Sequence, residues 1–201
     1  MKIKINGYPD GMNFYTERLE SAQLDKAVEM CDRYVGKNLY PREYLQQAIK
    51  KPDHFFFFLK DPKGNTAGYF YFYLSNLEET AGYLKMSADR LLQISSKQKP
   101  LFVNLRSIGI CDEYRGRGLA TSFVQWSLDY IQTYTTADMA VAVCWKPNGR
   151  MQVKNTMTEL SFQYFGDLPR FWYDISELKC PYCQGRCVCS AAFYYKQLRS
   201  E

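Results

Sequence analysis

The sequence predicts an α/β protein in which a mixed central β-sheet is flanked by helices on both faces. Three observations lead to this fold class. Segments with the spacing of strands and of helices alternate along the 201 residues. Residues 101–145 contain a strand–turn–helix–strand unit, whose last strand is a continuous apolar run of the kind that is buried on both faces. Aromatic residues make up 16% of the chain, which favours strands over a coiled coil.

The first half of the chain predicts a mixture of short helices and a hairpin. Leu24, Ala27 and Val28 have helical spacing, and Pro41 is tolerated in the first turn of a helix. The turn residues at 61–65 separate two aromatic strands, which we expect to pair. The predicted elements are a strand at 13–18, helices at 20–35 and 41–49, strands at 55–60 and 67–74, and a polar helix at 78–96.

The second half predicts parallel pairing. An apolar strand at 101–111 leads through a glycine turn into an amphipathic helix at 119–134 and a strand at 139–145. If the two strands are neighbours in one sheet, this connection makes them parallel. After a break at 147–149 we predict a helix at 153–162 and strands at 171–178 and 191–198, joined by a cysteine-rich tip.

Length and composition predict a single domain over residues 1–201, with a cysteine-rich hairpin at 171–198. The net charge is +5, and the basic residues are scattered rather than clustered, which argues against a nucleic-acid partner. The N-terminus has no signal-peptide pattern, and the apolar run at 54–59 is too short to cross a bilayer. These features predict a cytoplasmic protein without a membrane partner, in which most of the seven cysteines are reduced or bound to a metal.

The glycine turn is the most specific feature of the sequence. Arg115-Gly116-Arg117-Gly118-Leu119-Ala120 lies between a strand and a helix, where glycines permit close approach and the helix N-terminus attracts anions. A Walker A loop would need Gly-Lys-Ser/Thr here, and a dinucleotide fingerprint would need glycine in place of Thr121. A coenzyme A pyrophosphate site and a plain tight turn with exposed arginines both remain open.

This turn carries a resemblance to a known family. Residues 108–120 resemble motif A of the GNAT (N-acetyltransferase) superfamily, whose core Arg/Gln-x-x-Gly-x-Gly/Ala is matched by Arg115, Gly118 and Ala120. The resemblance extends from about Leu101 to Gly166, and the N-terminal half agrees in element order only.

The resemblance implies an acyltransferase that moves an acetyl group from acetyl-CoA to a primary amine on a small molecule or peptide. It implies that the pyrophosphate binds at the glycine turn, that the pantetheine arm pairs with the strand before it, and that this strand and the next splay apart to admit the arm. An asparagine early in the last helix faces the arm in such proteins. The implied acetyl-CoA-binding residues are Ile108, Ile110, Arg115, Gly116, Arg117, Gly118, Leu119, Ala120 and Asn155.

The sequence departs from the family in its catalytic groups. The strand before the turn has no carboxylate to serve as a general base, and Phe162 stands where the family often has a tyrosine acid. Tyr164, Tyr71 and Tyr73 are the remaining candidates for the acid. These departures leave open a degenerate module that binds acyl-CoA without turnover.

Four thiols lie within ten residues near the C-terminus. Cys180 and Cys183 form a C-x2-C half-site, and Cys187 and Cys189 follow closely, a pattern that predicts a zinc site. Free or oxidised thiols and a redox motif are the alternatives. A zinc-stabilised interaction module is a third functional hypothesis. The sequence does not determine the oligomeric state, and a homodimer is one state that it allows.

Overall fold

The computed structural model of the chain describes residues 2–4 and 13–199, which form one eight-stranded sheet covered by helices. The strands are β1 (Lys2–Lys4), β2 (Asn13–Arg18), β3 (His54–Lys60), β4 (Thr66–Ser75), β5 (Phe102–Ile110), β6 (Met139–Lys146), β7 (Gln163–Leu168) and β8 (Ser190–Gln197). The helices are α1 (Leu24–Tyr34), α2 (Arg42–Ala48), α3 (Leu77–Leu84), α4 (Ala88–Leu92), α5 (Leu119–Tyr134) and α6 (Lys154–Glu159).

The sheet is mixed, with the order β1-β2-β3-β4-β5-β6-β8-β7. Only β5 and β6 are parallel, because α5 carries the chain back across the sheet between them. All other neighbours are antiparallel. This arrangement confirms the predicted fold class, including the parallel pair.

Alternating side chains of the central strands supply a core on each face of the sheet. On β4, Phe70 and Phe72 pack in the cluster that contains α5, whereas Tyr69 and Tyr71 pack in the cluster that contains α1 and α2. A third cluster places α3 and α4 against β6 and β8. Helices therefore cover both faces.

Two predicted elements were wrong. The single helix expected at 78–96 is two helices, because Lys85 adopts a left-handed conformation with φ of 55° and ends α3. Residues 171–178 are not a strand, because Phe171 and Trp172 pack onto the α3–α4 core instead of pairing with β8. On the side of β8 away from β6, the partner is β7, which follows directly after the helix predicted at 153–162. The cysteines thus lie in an irregular loop at 169–189.

No helix in the described ranges is long and apolar enough to cross a membrane.

Candidate active site

The main pocket opens where β5 and β6 separate. These strands pair only from Phe102–Met139 to Leu105–Ala142, although β5 continues to Ile110 and β6 to Lys146. Beyond the last pair, the gap becomes a pocket of about 140 Å³. Its walls include residues 105–108 of β5 and residues 142–145 of β6.

The glycine turn lies beside this pocket. Gly116 and Gly118 have φ of 75° and 74°, a left-handed conformation that favours glycine, and Gly118 caps the N-terminus of α5. A β-carbon at either position would meet no atom within 4 Å, so the turn keeps open space around it. Ala120, in the first turn of α5, lines the pocket. The N-terminal N–H groups of α5 therefore lie close to the pocket wall.

Arg115 is engaged within the turn itself. Its Nε donates to the carbonyl oxygen of Ile110 at 2.9 Å, and its guanidinium pairs with Asp112 at 2.8 Å. The arginine thus ties the end of β5 to the turn. These contacts restrict the Arg115 side chain.

The other predicted acetyl-CoA residues have different positions. Ile108 lines the pocket, and Ile110 and Leu119 are buried in the adjoining core. Asn155 is exposed on α6 and is not a lining residue, whereas its neighbours Thr156 and Met157 are.

Solved structures similar to this fold come from acetyltransferases. NAA60 from Arabidopsis thaliana, in complex with acetyl-CoA, superposes with a TM-score of 0.69 at 13% identity, covering 92% of this chain and 98% of that one. Spermidine N-acetyltransferase from Vibrio cholerae, described as dodecameric, superposes with a TM-score of 0.61 at 14% identity, covering 92% and 94%. The same enzyme in complex with CoA and spermine gives a TM-score of 0.59 at 15% identity, covering 92% and 95%. No protein-family model matches the sequence, and a search of curated proteins finds no match.

The chain has the GNAT fold. The resemblance inferred from residues 108–120 is thereby confirmed at the level of the fold, and the separation of β5 from β6 is the feature that the resemblance implied.

The pocket between β5 and β6 is not lined by the three tyrosines that were suggested as general acids. Tyr164 is 55% exposed on β7, where its hydroxyl donates to Asp167. Tyr71 is buried against α2 and bonds Nδ1 of His54 at 2.7 Å, and the ring of Tyr73 stacks on His54. None of the three is among the lining residues.

The ionisable groups that do line the pocket are protonated at neutral pH. Burial raises the pKa of Tyr34, Tyr40 and Tyr83, and it raises the pKa of the Cys144 thiol to about 12. Arg106 carries its charge at any ordinary pH. Among the described lining residues there is no Asp, Glu or His. The pocket therefore offers no general base that is active near neutral pH.

A cluster of one arginine and several aromatic rings, beside a bulge in β5, was not predicted from the sequence. Tyr71 pairs with Ser107 and Phe72 with Leu105, so Arg106 is the extra residue of a β-bulge. Its guanidinium lies 3.9 Å from the ring centroid of Tyr83. The signal available in the sequence was a lone arginine inside the apolar strand 101–111.

The four clustered cysteines come together in the 169–189 loop. Their sulfur atoms all lie within 4.8 Å of one another, with Cys183–Cys189 at 3.6 Å and Cys180–Cys189 at 3.9 Å. A tetrahedral zinc with Zn–S bonds of ~2.3 Å places sulfurs ~3.8 Å apart. A disulfide would need about 2.05 Å, and all four thiols are free. No helix begins at Cys180–Cys183, which argues against the redox motif.

The cysteine loop forms part of the pocket wall. Trp145 and Trp172 pack against the buried cluster of Leu178 and three of the cysteines, and both tryptophans and Leu178 also line the pocket. The backbone N–H of Lys179 donates to the carbonyl of Lys37 at 2.9 Å, which fastens the loop to the segment after α1. Order in the cysteine loop is therefore coupled to the shape of the pocket.

Proposed function

We propose that this protein is an N-acetyltransferase that uses acetyl-CoA and a primary amine. The observation that carries the proposal is the separation of β5 and β6 beside a left-handed glycine turn at the start of α5. The similarity of the fold to structures solved with acetyl-CoA or CoA supports the same ligand here.

In this proposal the ligand follows the pocket from the turn to the bulge. The pyrophosphate rests on the N–H groups of residues 116–120, where the α5 dipole favours negative charge. The pantetheine arm lies in the gap, along the backbone of Ile108 and Ile110 and opposite Ala142 to Trp145. The thioester then lies near the bulge. Asn155 is exposed on α6 and does not line the pocket, so we assign it no direct contact.

The chemistry is attack of the amine nitrogen on the thioester carbonyl carbon, followed by breakage of the C–S bond and release of the CoA thiol. The protein contributes alignment of the two reactants and exclusion of water. A neutral amine loses one N–H proton in the reaction, and the departing thiolate gains that proton, so the transfer balances. An ammonium would first have to give a further proton to a base. Because the lining groups offer no base, the amine has to enter in its neutral form.

This proton requirement predicts the pH dependence. We expect kcat/KM to rise with pH along a single ionisation that belongs to the acceptor amine, since the enzyme contributes no group with a pKa near 7 to the pocket. Rates measured with two amines of different pKa test this. The inflection should move with the amine. An inflection that stays fixed near neutral pH would reveal an enzyme base and contradict the assignment.

The transferase activity itself is tested by release of CoA thiol from acetyl-CoA across a panel of amines, with mass spectrometry of the product. We expect amine-dependent thiol release and an N-acetylated product. The Gly118→Asp variant serves as a control, because a carboxylate at the turn should repel the pyrophosphate.

The absence of a base among the described lining residues favours one second candidate, a module that binds acyl-CoA without turnover. This candidate would be supported if the protein bound acetyl-CoA tightly but released no thiol in response to any amine of the panel, even at alkaline pH.

We further propose that Cys180, Cys183, Cys187 and Cys189 hold one structural zinc ion. The sulfur spacing fits tetrahedral coordination, and the N–H of Tyr182 donates to Sγ of Cys180 at 3.4 Å, which stabilises a thiolate ligand. All four ligands are protein side chains, so the site is closed and structural rather than catalytic.

A further inference from the structure

Arg106 stands out in the pocket as a partly buried cation without an anionic partner. None of the ion pairs made by residues 2–4 and 13–199 includes Arg106. Its Nε is buried and makes no hydrogen bond of good geometry. Burying a charge in this way is unfavourable unless something compensates for it.

Aromatic rings compensate only in part. The guanidinium carbon lies 3.9 Å from the ring centroid of Tyr83, 5.6 Å from that of Tyr73 and 5.9 Å from that of Tyr40. Such contacts stabilise and orient the cation, but the buried Nε–H still has no hydrogen-bond partner. The rings hold the planar donor group in one place, as a ligand site requires.

A second polar group at the same place also lacks a partner. The Oγ atom of Ser107, next along β5, is buried and makes no hydrogen bond of good geometry. Arg106, Ser107, Tyr40 and Tyr83 all line the pocket. Tyr83 belongs to α3 and Tyr40 to the segment between α1 and α2, so this part of the pocket adjoins those elements rather than α5. It is therefore the side from which an acceptor would meet the thioester.

From these contacts, and resting on the proposed acetyl transfer, we propose that Arg106 binds a carboxylate of the acceptor, so that the acceptor is an amino-acid-like amine. A planar guanidinium matches the two oxygens of a carboxylate, and the Ser107 hydroxyl and the phenol of Tyr83 can donate to the same group. The partly buried cation also repels polycationic amines such as spermidine, on which the similar Vibrio cholerae enzyme acts.

Matched acceptors test this proposal. Rates with saturating acetyl-CoA are compared for α-amino acids, the corresponding carboxamides and spermidine. Each rate is divided by the concentration of the unprotonated amine. We expect kcat/KM to favour the amino acids by about 10- to 100-fold, the value of hydrogen bonds to a charged partner. Arg106→Gln should remove this preference by slowing the amino acids alone. Arg106→Lys should retain part of it, and Arg90→Gln, which removes an exposed arginine of α4, should leave it unchanged.

The stability of the variant separates a binding role from a structural one. Because Arg106→Gln removes a partly buried charge that has no ion-pair partner, we expect its melting temperature to equal or exceed that of the wild type. A large drop in melting temperature would show that the arginine serves the fold, and it would overturn the proposal.

Other outcomes also overturn it. These are a wild-type preference for carboxamides or spermidine, a carboxylate preference that persists in Arg106→Gln, or no turnover of any amino acid by protein that binds acetyl-CoA. An acyl donor that carries its own carboxylate is another group that Arg106 can bind, so the same rates are also measured with succinyl-CoA in place of acetyl-CoA. If dependence on Arg106 appears only with that donor, the acceptor assignment is wrong. Failure to bind acetyl-CoA at all would instead remove the proposed function, and calorimetry detects this separately.

Discussion

Cys189→Ser should lower the midpoint of thermal unfolding by about 10 °C or more. Structural zinc contributes about 10 kcal/mol in small peptides, and in a domain of this size about 1 kcal/mol shifts the midpoint by roughly 2–4 °C. Cys189 is buried and its sulfur is the neighbour of both Cys180 and Cys183. Serine cannot replace the thiolate, so the whole site would be lost.

The matched control is Cys111→Ser. Cys111 lies outside the cluster, and its thiol donates to the carbonyl oxygen of Thr66 at 3.3 Å, a bond that serine can also make. We expect only a small shift for this variant. A chelator should bring the wild-type protein down to the midpoint of Cys189→Ser and leave the variant unchanged. Reduced wild-type protein that contains no metal and melts at the same temperature as Cys189→Ser would contradict the zinc site.

Gly118→Asp should weaken acetyl-CoA binding by at least about fivefold. The substitution places a carboxylate at the N-terminus of α5, where the proposed pyrophosphate lies. Repulsion between unit charges about 4 Å apart amounts to about 1–4 kcal/mol, depending on the local dielectric constant, and ~1.4 kcal/mol corresponds to tenfold in affinity. Isothermal titration with acetyl-CoA measures the loss.

Gly118→Asn is the control for backbone strain. Asn and Asp both tolerate the left-handed conformation that Gly118 adopts, with φ of 74°, and they have nearly the same shape. No atom lies within 4 Å of a β-carbon at this position, so neither side chain meets a steric barrier there. The difference in affinity between the two variants therefore reports charge alone. Equal affinities would show that the anionic group of the ligand lies elsewhere.

The sequence predicted the elements whose patterns are local. The amphipathic helix α5 was expected at 119–134 and is observed there, and β2 was expected at 13–18 and is also observed there. The glycine turn was recognised because left-handed glycines and a helix start are encoded in adjacent residues. Because the four cysteines lie within ten residues, the sequence also predicted that their sulfur atoms would be close together, and the structure shows this.

Features that depend on contacts distant in sequence were not predicted. Residues 171–178 have strand-like aromatic content, but Phe171 and Trp172 satisfy their apolar surface against α3 and α4. The candidate catalytic acids were chosen from their positions along the sequence, which do not show where a side chain lies in the fold. Tyr164, for example, is exposed on β7, an edge strand of the sheet. The environment of Arg106 combines Tyr40, Tyr73 and Tyr83 from three separate segments. No local pattern signals such a cluster.

A crystal structure of the protein grown with acetyl-CoA is the most direct test of the proposed binding site. We expect the pantetheine arm to occupy the gap between residues 105–108 and 142–145, with the pyrophosphate on the N–H groups of residues 116–120 and the thioester beside the bulge at Arg106. Acetyl-CoA bound at another surface, or an empty gap at a saturating concentration of acetyl-CoA, would contradict it.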